Sequence, residues 1–321
     1  MAESNDAGRA AGEARAAREA RRARVVVVGS ANMDLVATTP TLPKPGETVL
    51  GRDFATIPGG KGANQAAAAA RAGARCGFIG AVGSDGYGPA LRGALEQSGV
   101  DVAGIRSVPG SSGVALIAVD DQGENTIVVV PGANASVTDL TDADRAAIAA
   151  ADVLLIQLEV PLTAVSAALR AARDAGTFTV LNAAPAQPLP ADLLAGVDLL
   201  VVNEVEAATL AGTAGAAGAL ETLLAQAPRV VLTLGAKGAR YADRDGVRLE
   251  APAPVITAVD TTAAGDAFGG ALAVAWAERR PTAEALRWAC AAGAVAAQRA
   301  GASESLPHRG EINQLYEVTY L

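Results

Sequence analysis

The chain has 321 residues, half of them hydrophobic, which suffices for one large α/β domain or two ordinary ones with a sizeable core. Its net charge of −8 argues against a nucleic-acid partner, and no run approaches the roughly 18 apolar residues needed to span a bilayer. Two cysteines, Cys76 and Cys290, make no disulfide framework and suit a reducing cytoplasm, while a single histidine, His308, excludes His-rich metal sites and reads as a surface residue.

Residues 1–23 are rich in Ala, Arg and Glu, with charges of both signs and no apolar core. They fit neither a secretory nor a transit peptide and read as a disordered extension before a domain over 24–321. The β-branched run Arg24–Val28, closed by Gly29, predicts a buried strand. Further strands are expected over 76–82, 153–158, 177–181, 199–202 and 230–234. Ala-rich helices are expected between them over 64–72, 88–98, 162–175, 204–211 and 216–226. This alternation predicts an α/β fold, a doubly wound and mostly parallel sheet flanked by helices. Ligands of such sheets bind beyond the carboxyl ends of the strands, which places Asn32, Asp34, Glu159, Asn203 and Thr233 along one rim.

Two stretches interrupt the alternation. Residues 47–57 are polar and extended, and 114–119 with 125–130 flank Asp120-Asp121-Gln122-Gly123, a hairpin signal. We expect them to form a small projecting β-sheet lid, from about 41–58 and 112–131, whose uncovered apolar face suits pairing with a second copy. Two long Ala-rich helices, over 264–278 and 282–300, complete the chain.

Three loops carry polar chemistry. Thr261-Thr262-Ala263-Ala264-Gly265-Asp266 leads into a helix, where free N–H groups can hold an anion and small residues let a phosphate approach. Asp266 would there accept a proton from an attacking hydroxyl, although an acid at that place also simply complements the helix dipole. Gly59-Gly60-Lys61-Gly62-Ala63-Asn64-Gln65 permits close backbone approach and places one of only three lysines at a helix start. It is not a P-loop, since Gly62 stands where a metal-binding Ser or Thr would be. Asn203 and Glu206 lie three apart at another helix start, a spacing that suits a capping box, a hydrated Mg²⁺, or both.

These runs, with Gly29-Ser30-Ala31-Asn32-Met33-Asp34, Gln157-Leu158-Glu159 and Thr233-Leu234-Gly235-Ala236-Lys237-Gly238, resemble the ribokinase-like (pfkB) family of carbohydrate kinases over residues 24 to about 315. The resemblance implies ATP-dependent phosphorylation of D-ribose at its 5-hydroxyl, with another sugar or nucleoside (deoxyribose, fructose, adenosine) as the alternative acceptor. It also implies roles by position. Asn32, Asp34, Gly60, Lys61, Asn64 and Glu159 would hold the sugar, and Asp266 would be the base beside an anion hole of Ala263, Ala264 and Gly265. Asn203, Thr233, Gly235, Gly238, Gly265 and Cys290 would hold the nucleotide. Glu206 would hold Mg²⁺ through water, and Asp260, Thr262, Ala296, Arg299, Gly301 and Ser305 would hold an activating K⁺. The chain departs from the wider family at Ala263, where Gly is common, and at Cys290, where His or Asn is common near adenine; adenine contacts here are expected to be more apolar.

Overall fold

A computed structural model describes residues 22–213 and 218–321. The expected extension lies outside the described residues except for its last two positions, as does the beginning of the helix expected over 216–226.

Among the described residues two sheets form. The smaller has the order β3 (Phe54–Gly59), β2 (Asn32–Thr38), β6 (Gly113–Val119), β7 (Asn125–Val130). The larger comprises β1 (Arg24–Val28), β4 (Arg75–Gly83), β5 (Asp101–Val108), β8 (Val153–Ile156), β9 (Phe178–Asn182), β10 (Leu199–Asn203), β11 (Arg229–Thr233), β12 (Ala239–Asp243) and β13 (Arg248–Ala251). Its spatial order is β13-β12-β11-β10-β9-β8-β1-β4-β5, with every pairing parallel except β11–β12 and β12–β13 at one edge, where β12 alone runs the other way. The order reverses direction between β1 and β8, the switch point at which such sheets open a crevice.

The strand run at residues 25–28 shows why the sheet is buried on both faces. Val25 and Val27 join one apolar cluster, Val26 and Val28 the other. The first face carries α1 (Lys61–Arg71), α2 (Tyr87–Gln97), α8 (Ala264–Ala277), α9 (Thr282–Ala297) and α10 (Arg309–Tyr320). The second carries α3 (Asp142–Ala149), α4 (Leu162–Ala175), α5 (Ala191–Ala195), α6 (Glu204–Ala211) and α7 (Ala219–Leu224). With so few aromatics, Ala-on-Ala packing lets helices approach closely. A Cβ at Gly270 of α8 would lie 2.6 Å from the Ala68 Cβ of α1, so these two helices meet nearly backbone to backbone. That contact sets the spacing of the site described next.

The pairing of β2 with β6 and β3 makes the stretch from Asn32 to Thr38 part of the small sheet, whereas the sequence pattern had suggested only a rim loop there. The polar stretch 47–53 lies outside the assigned strands, and β3 begins at Phe54. Among the described residues no helix covers the face of this sheet that carries Phe54, Leu116 and Val128, which the register places on one side. These three are 66%, 48% and 54% exposed, and every residue of the edge strand β7 is exposed. No helix among the described residues is long and apolar enough to cross a membrane, and both cysteines are buried free thiols.

Candidate active site

Beyond the carboxyl ends of β1 and β8 the chain places a network of buried polar side chains. Glu159 organises it: its Oε2 accepts from Ser30 Oγ at 2.5 Å, from the Lys61 backbone N–H at 3.1 Å and from Asn32 Nδ2 at 3.4 Å. Asn32 is held from its other side by Asn134, whose Nδ2 donates to Asn32 Oδ1 at 2.7 Å and whose Oδ1 accepts from the Ala31 N–H. Gly60 precedes α1 with φ of 92°, and a Cβ there would lie 2.7 Å from the Asn32 backbone nitrogen. A side chain at 60 would therefore both strain the turn and push β2 away from α1.

At the start of α8, Asp266 lies in the first turn and is buried. Asn64 Nδ2 donates to its Oδ2 at 3.1 Å and Gln65 Nε2 to its Oδ1 at 2.9 Å. Adjacent residues on α1 thus grip both oxygens of one carboxylate. No side chain caps this helix, and the space beside Gly265 is open, so N–H groups of the first turn face an accessible volume. Asn64 Oδ1, in contrast, is buried with no donor among the described residues. Such an acceptor costs about 1–3 kcal/mol unless something donates to it, and a substrate hydroxyl is of the right chemistry.

The carboxylates crowd each other. Burial pushes Asp34 up to about 7, with Glu159 and Asp266 adding to the rise and Lys61 opposing it. Burial likewise raises Asp266, against the pull of Lys61, Gln65 and Asn64. Lys61 answers them: burial alone would depress its ammonium, yet Asp266, Glu159, Glu206 and Asp34 together hold it above its ordinary value. One cation serves four acids, which fixes Lys61 as the positive centre of the cleft.

Asn203 and Thr233 end adjacent parallel strands in register. Gly235 and Gly238 follow in a tight turn, both at positive φ, and a Cβ at Gly238 would strike the Ala251 carbonyl at 2.0 Å. Glu206 accepts from the Asn203 N–H through Oε2, leaving Oε1 without a donor among the described residues. Burial raises its carboxyl despite the cap and Lys61. The structure joins Asp260 to Thr262 and Gly301: Oδ1 accepts from Thr262 N–H and Oγ1, Oδ2 from Gly301 N–H. These donors hold Asp260 below its usual range although burial works the other way. Arg299 sends its guanidinium to Glu311, and Ser305 Oγ donates to the Ala302 carbonyl, so those two side chains turn away from Asp260. The Arg299 N–H donates to the Ala296 carbonyl, which closes the helix end. Cys290 packs among core residues with its sulfur 3.8 Å from the Ala251 carbonyl, and burial pushes its thiol up to about 12. It is not linked by any contact to Asn203 or Thr233 among the described residues.

Sequence reasoning quoted Ser30, Gln65 and Gln157 only as motif members without a role and missed Asn134 and Asn182; all five join this network. A cavity of about 970 Å³ also lies at the opposite end of the sheet, lined by Arg22, Arg24, Arg71 and Arg75. There Arg22 and Arg24 donate to the Gly73 and Ala150 carbonyls at helix ends, an ordinary capping use of arginine.

The fold finds its counterpart in known proteins. Residues 22–309 match the pattern of the pfkB family carbohydrate kinases. The chain belongs to that family. It is 39% identical over 304 residues to a ribokinase of Haemophilus influenzae, covering 92% of this chain and 99% of that one. A Schizosaccharomyces pombe ribokinase is also 39% identical, covering 92% and 98%. Among solved structures, an Arabidopsis thaliana ribokinase complexed with ribose and ATP superposes with a TM-score of 0.86 at 33% identity, covering 92% and 99%. The pfkB chain described here is a phosphotransferase whose acceptor is an alcohol group.

Proposed function

We propose that this enzyme transfers the γ-phosphoryl group of ATP to the 5-hydroxyl of D-ribose, giving ribose 5-phosphate and ADP. The observation that carries the reading is the Asn64–Asp266 contact, which joins the polar sugar-side loop to the uncapped helix start. A hydroxyl donating to the orphan Asn64 Oδ1 or to Asp266 lies between hydroxyl-binding groups and anion-binding N–H groups. Asn32, Asp34, Gly60, Lys61 and Glu159 supply directional partners for the remaining hydroxyls.

In the reaction the ribose O5 attacks the γ-phosphorus, the bond from that phosphorus to the ADP oxygen breaks, and the O5 proton passes to Asp266. A sugar hydroxyl is a far weaker acid than a carboxylic acid, so Asp266 first orients the hydroxyl and takes the proton late in a loose transition state. The helix-start N–H groups at Ala263, Ala264 and Gly265, with Lys61, meet the charge on the transferred group. Asn203, Thr233, Gly235 and Gly238 form the ledge for the nucleotide, with Cys290 behind it in the apolar core. Glu206, with one free oxygen, fits a hydrated Mg²⁺, which when bound neutralises phosphate charge. The Asp260 loop, with Thr262, Gly301 and the carbonyls near Ala296, Arg299 and Ser305, fits K⁺.

Closure of the small sheet over the sugar would exclude water and suppress ATP hydrolysis. Its exposed apolar face fits a second copy of this chain, giving a homodimer in the cytoplasm. The test is a panel of ribose, deoxyribose, fructose and adenosine with ATP, each with and without K⁺, alongside the oligomeric mass. Ribose should give the highest kcat/KM, rising with K⁺. No turnover on ribose would refute the reading, and preference for adenosine would reassign the acceptor.

A further inference from the structure

Gln65 and Gln157 are both fully buried, and neither has a part in the reaction as described. Burying two amides is costly unless their polar atoms are paired. Three of their four polar atoms are, and Gln157 Oε1 alone of the four has no donor among the described residues. Gln65 Nε2 donates twice, to Asp266 Oδ1 at 2.9 Å and to Asn182 Oδ1 at 2.8 Å. Its Oε1 accepts from Gln157 Nε2 at 2.6 Å. Asn182 in turn donates to the Val201 carbonyl at 3.3 Å, so its own oxygen faces Gln65.

This pattern has one consistent orientation. Were the Gln65 amide reversed, its oxygen would oppose a carboxylate and the Asn182 oxygen, while its NH₂ would oppose that of Gln157. Three acceptor or donor clashes would replace three hydrogen bonds. The lock is built on α1, on Asn182 at the end of β9 and on Gln157 directly after β8.

We infer that Gln65 is a positioning residue for Asp266, held by Gln157 and Asn182 so that an N–H always faces the carboxylate. The inference rests on Asp266 being the base. Donation to Oδ1 favours the ionised form and leaves Oδ2, to which Asn64 Nδ2 donates, as the oxygen for the sugar hydroxyl. The other charged groups that act on Asp266 are Lys61, which favours ionisation, and Glu159, Asp34 and Glu206, which oppose it. Gln65 is thus a neutral device that keeps the base ionised inside an acidic cleft.

The test compares Gln65→Met, Gln65→Glu, Gln157→Met and Asp266→Asn by kcat and KM against pH, with ribose affinity measured by calorimetry. Gln65→Met keeps shape but loses the donor. Its kcat at pH 7 should fall roughly tenfold and the acid limb of kcat should move up by about one pH unit, with ribose affinity within about threefold. Gln65→Glu should move the limb further, since two adjacent carboxylates resist joint ionisation. Gln157→Met, which does not touch Asp266, should shift it in the same direction by less, and it carries the test if the Gln65 variants do not fold. A purely structural filler would lower thermal stability and leave the limb in place; that result for folded Gln65→Met or Gln157→Met overturns the inference. If Asp266→Asn turns over like wild type, the base assignment fails instead.

Discussion

Asn203 and Glu206 cap each other: the backbone N–H of each donates to the side-chain oxygen of the other at 2.8 Å. The same carboxylate therefore caps the start of α6 and is the proposed Mg²⁺ ligand, and two substitutions separate these duties. Glu206→Ala should lose about 0.5–2 kcal/mol of stability and raise the Mg²⁺ concentration needed for half-maximal rate. Glu206→Gln retains an acceptor for the Asn203 N–H and should keep its stability while raising the Mg²⁺ requirement alike. Denaturant melts and Mg²⁺ titrations check both; an unchanged requirement in Glu206→Gln would remove the metal role.

Asp266→Asn should bind ribose about as well as wild type while kcat falls at least about 10²-fold, as for loss of a general base. Pre-steady-state phosphoryl transfer and ribose calorimetry measure the two quantities apart. Equal losses in affinity and rate would mark Asp266 as a sugar ligand only.

Asp34 gives the sugar-free protein a pH signature. Burial pushes its carboxyl up to about 7 in the folded protein, against 3.8 for an ordinary aspartate, so between those values folding takes up a proton. The stabilisation linked to this proton is complete below about pH 3.8 and is lost as pH rises through about 7. Asp34→Asn removes the uptake, so its stability relative to wild type should improve steadily from pH 5 to pH 8. Urea melts at four pH values test this, and a pH-independent difference would count against it. The same variant should bind ribose weakly.

Gly60→Ala places a Cβ 2.7 Å from the Asn32 nitrogen at a φ of 92°. Strain of about 1–3 kcal/mol should appear in thermal melts, with ribose KM rising more than ATP KM because Asn32 moves with β2.

Much of the fold was legible because buried parallel strands are β-branched runs: 24–28, 153–156, 199–202 and 230–232 read directly as strands. The strand Asp101–Val108 escaped notice since its outer residues are exposed and Gly104 interrupts it. The hairpin β12–β13 did as well, because polar residues such as Arg240, Asp243, Arg248 and Glu250 hide an edge pairing. Charged groups of the site were legible through motif spacing. Asn32, Asn64 and Asn203 were legible in the same way, but the role of Gln65 was not: it touches Asp266 across 201 residues, and a glutamine in an Ala-rich helix has the composition of an exposed face. Only the near-contact of α1 and α8 at Gly270 makes it internal.

The strand β2 begins at Asn32, a proposed sugar ligand, passes Asp34, and runs outward to Thr38 beside the exposed face of the small sheet. Grip on the sugar and attitude of the lid are therefore two readings of one ribbon of backbone. A ligand that tugs on Asn32 pulls directly on a lever whose far end lies where a second copy would rest. Anything that stiffens or tilts that far end should be felt as a change in sugar affinity, with no other relay needed.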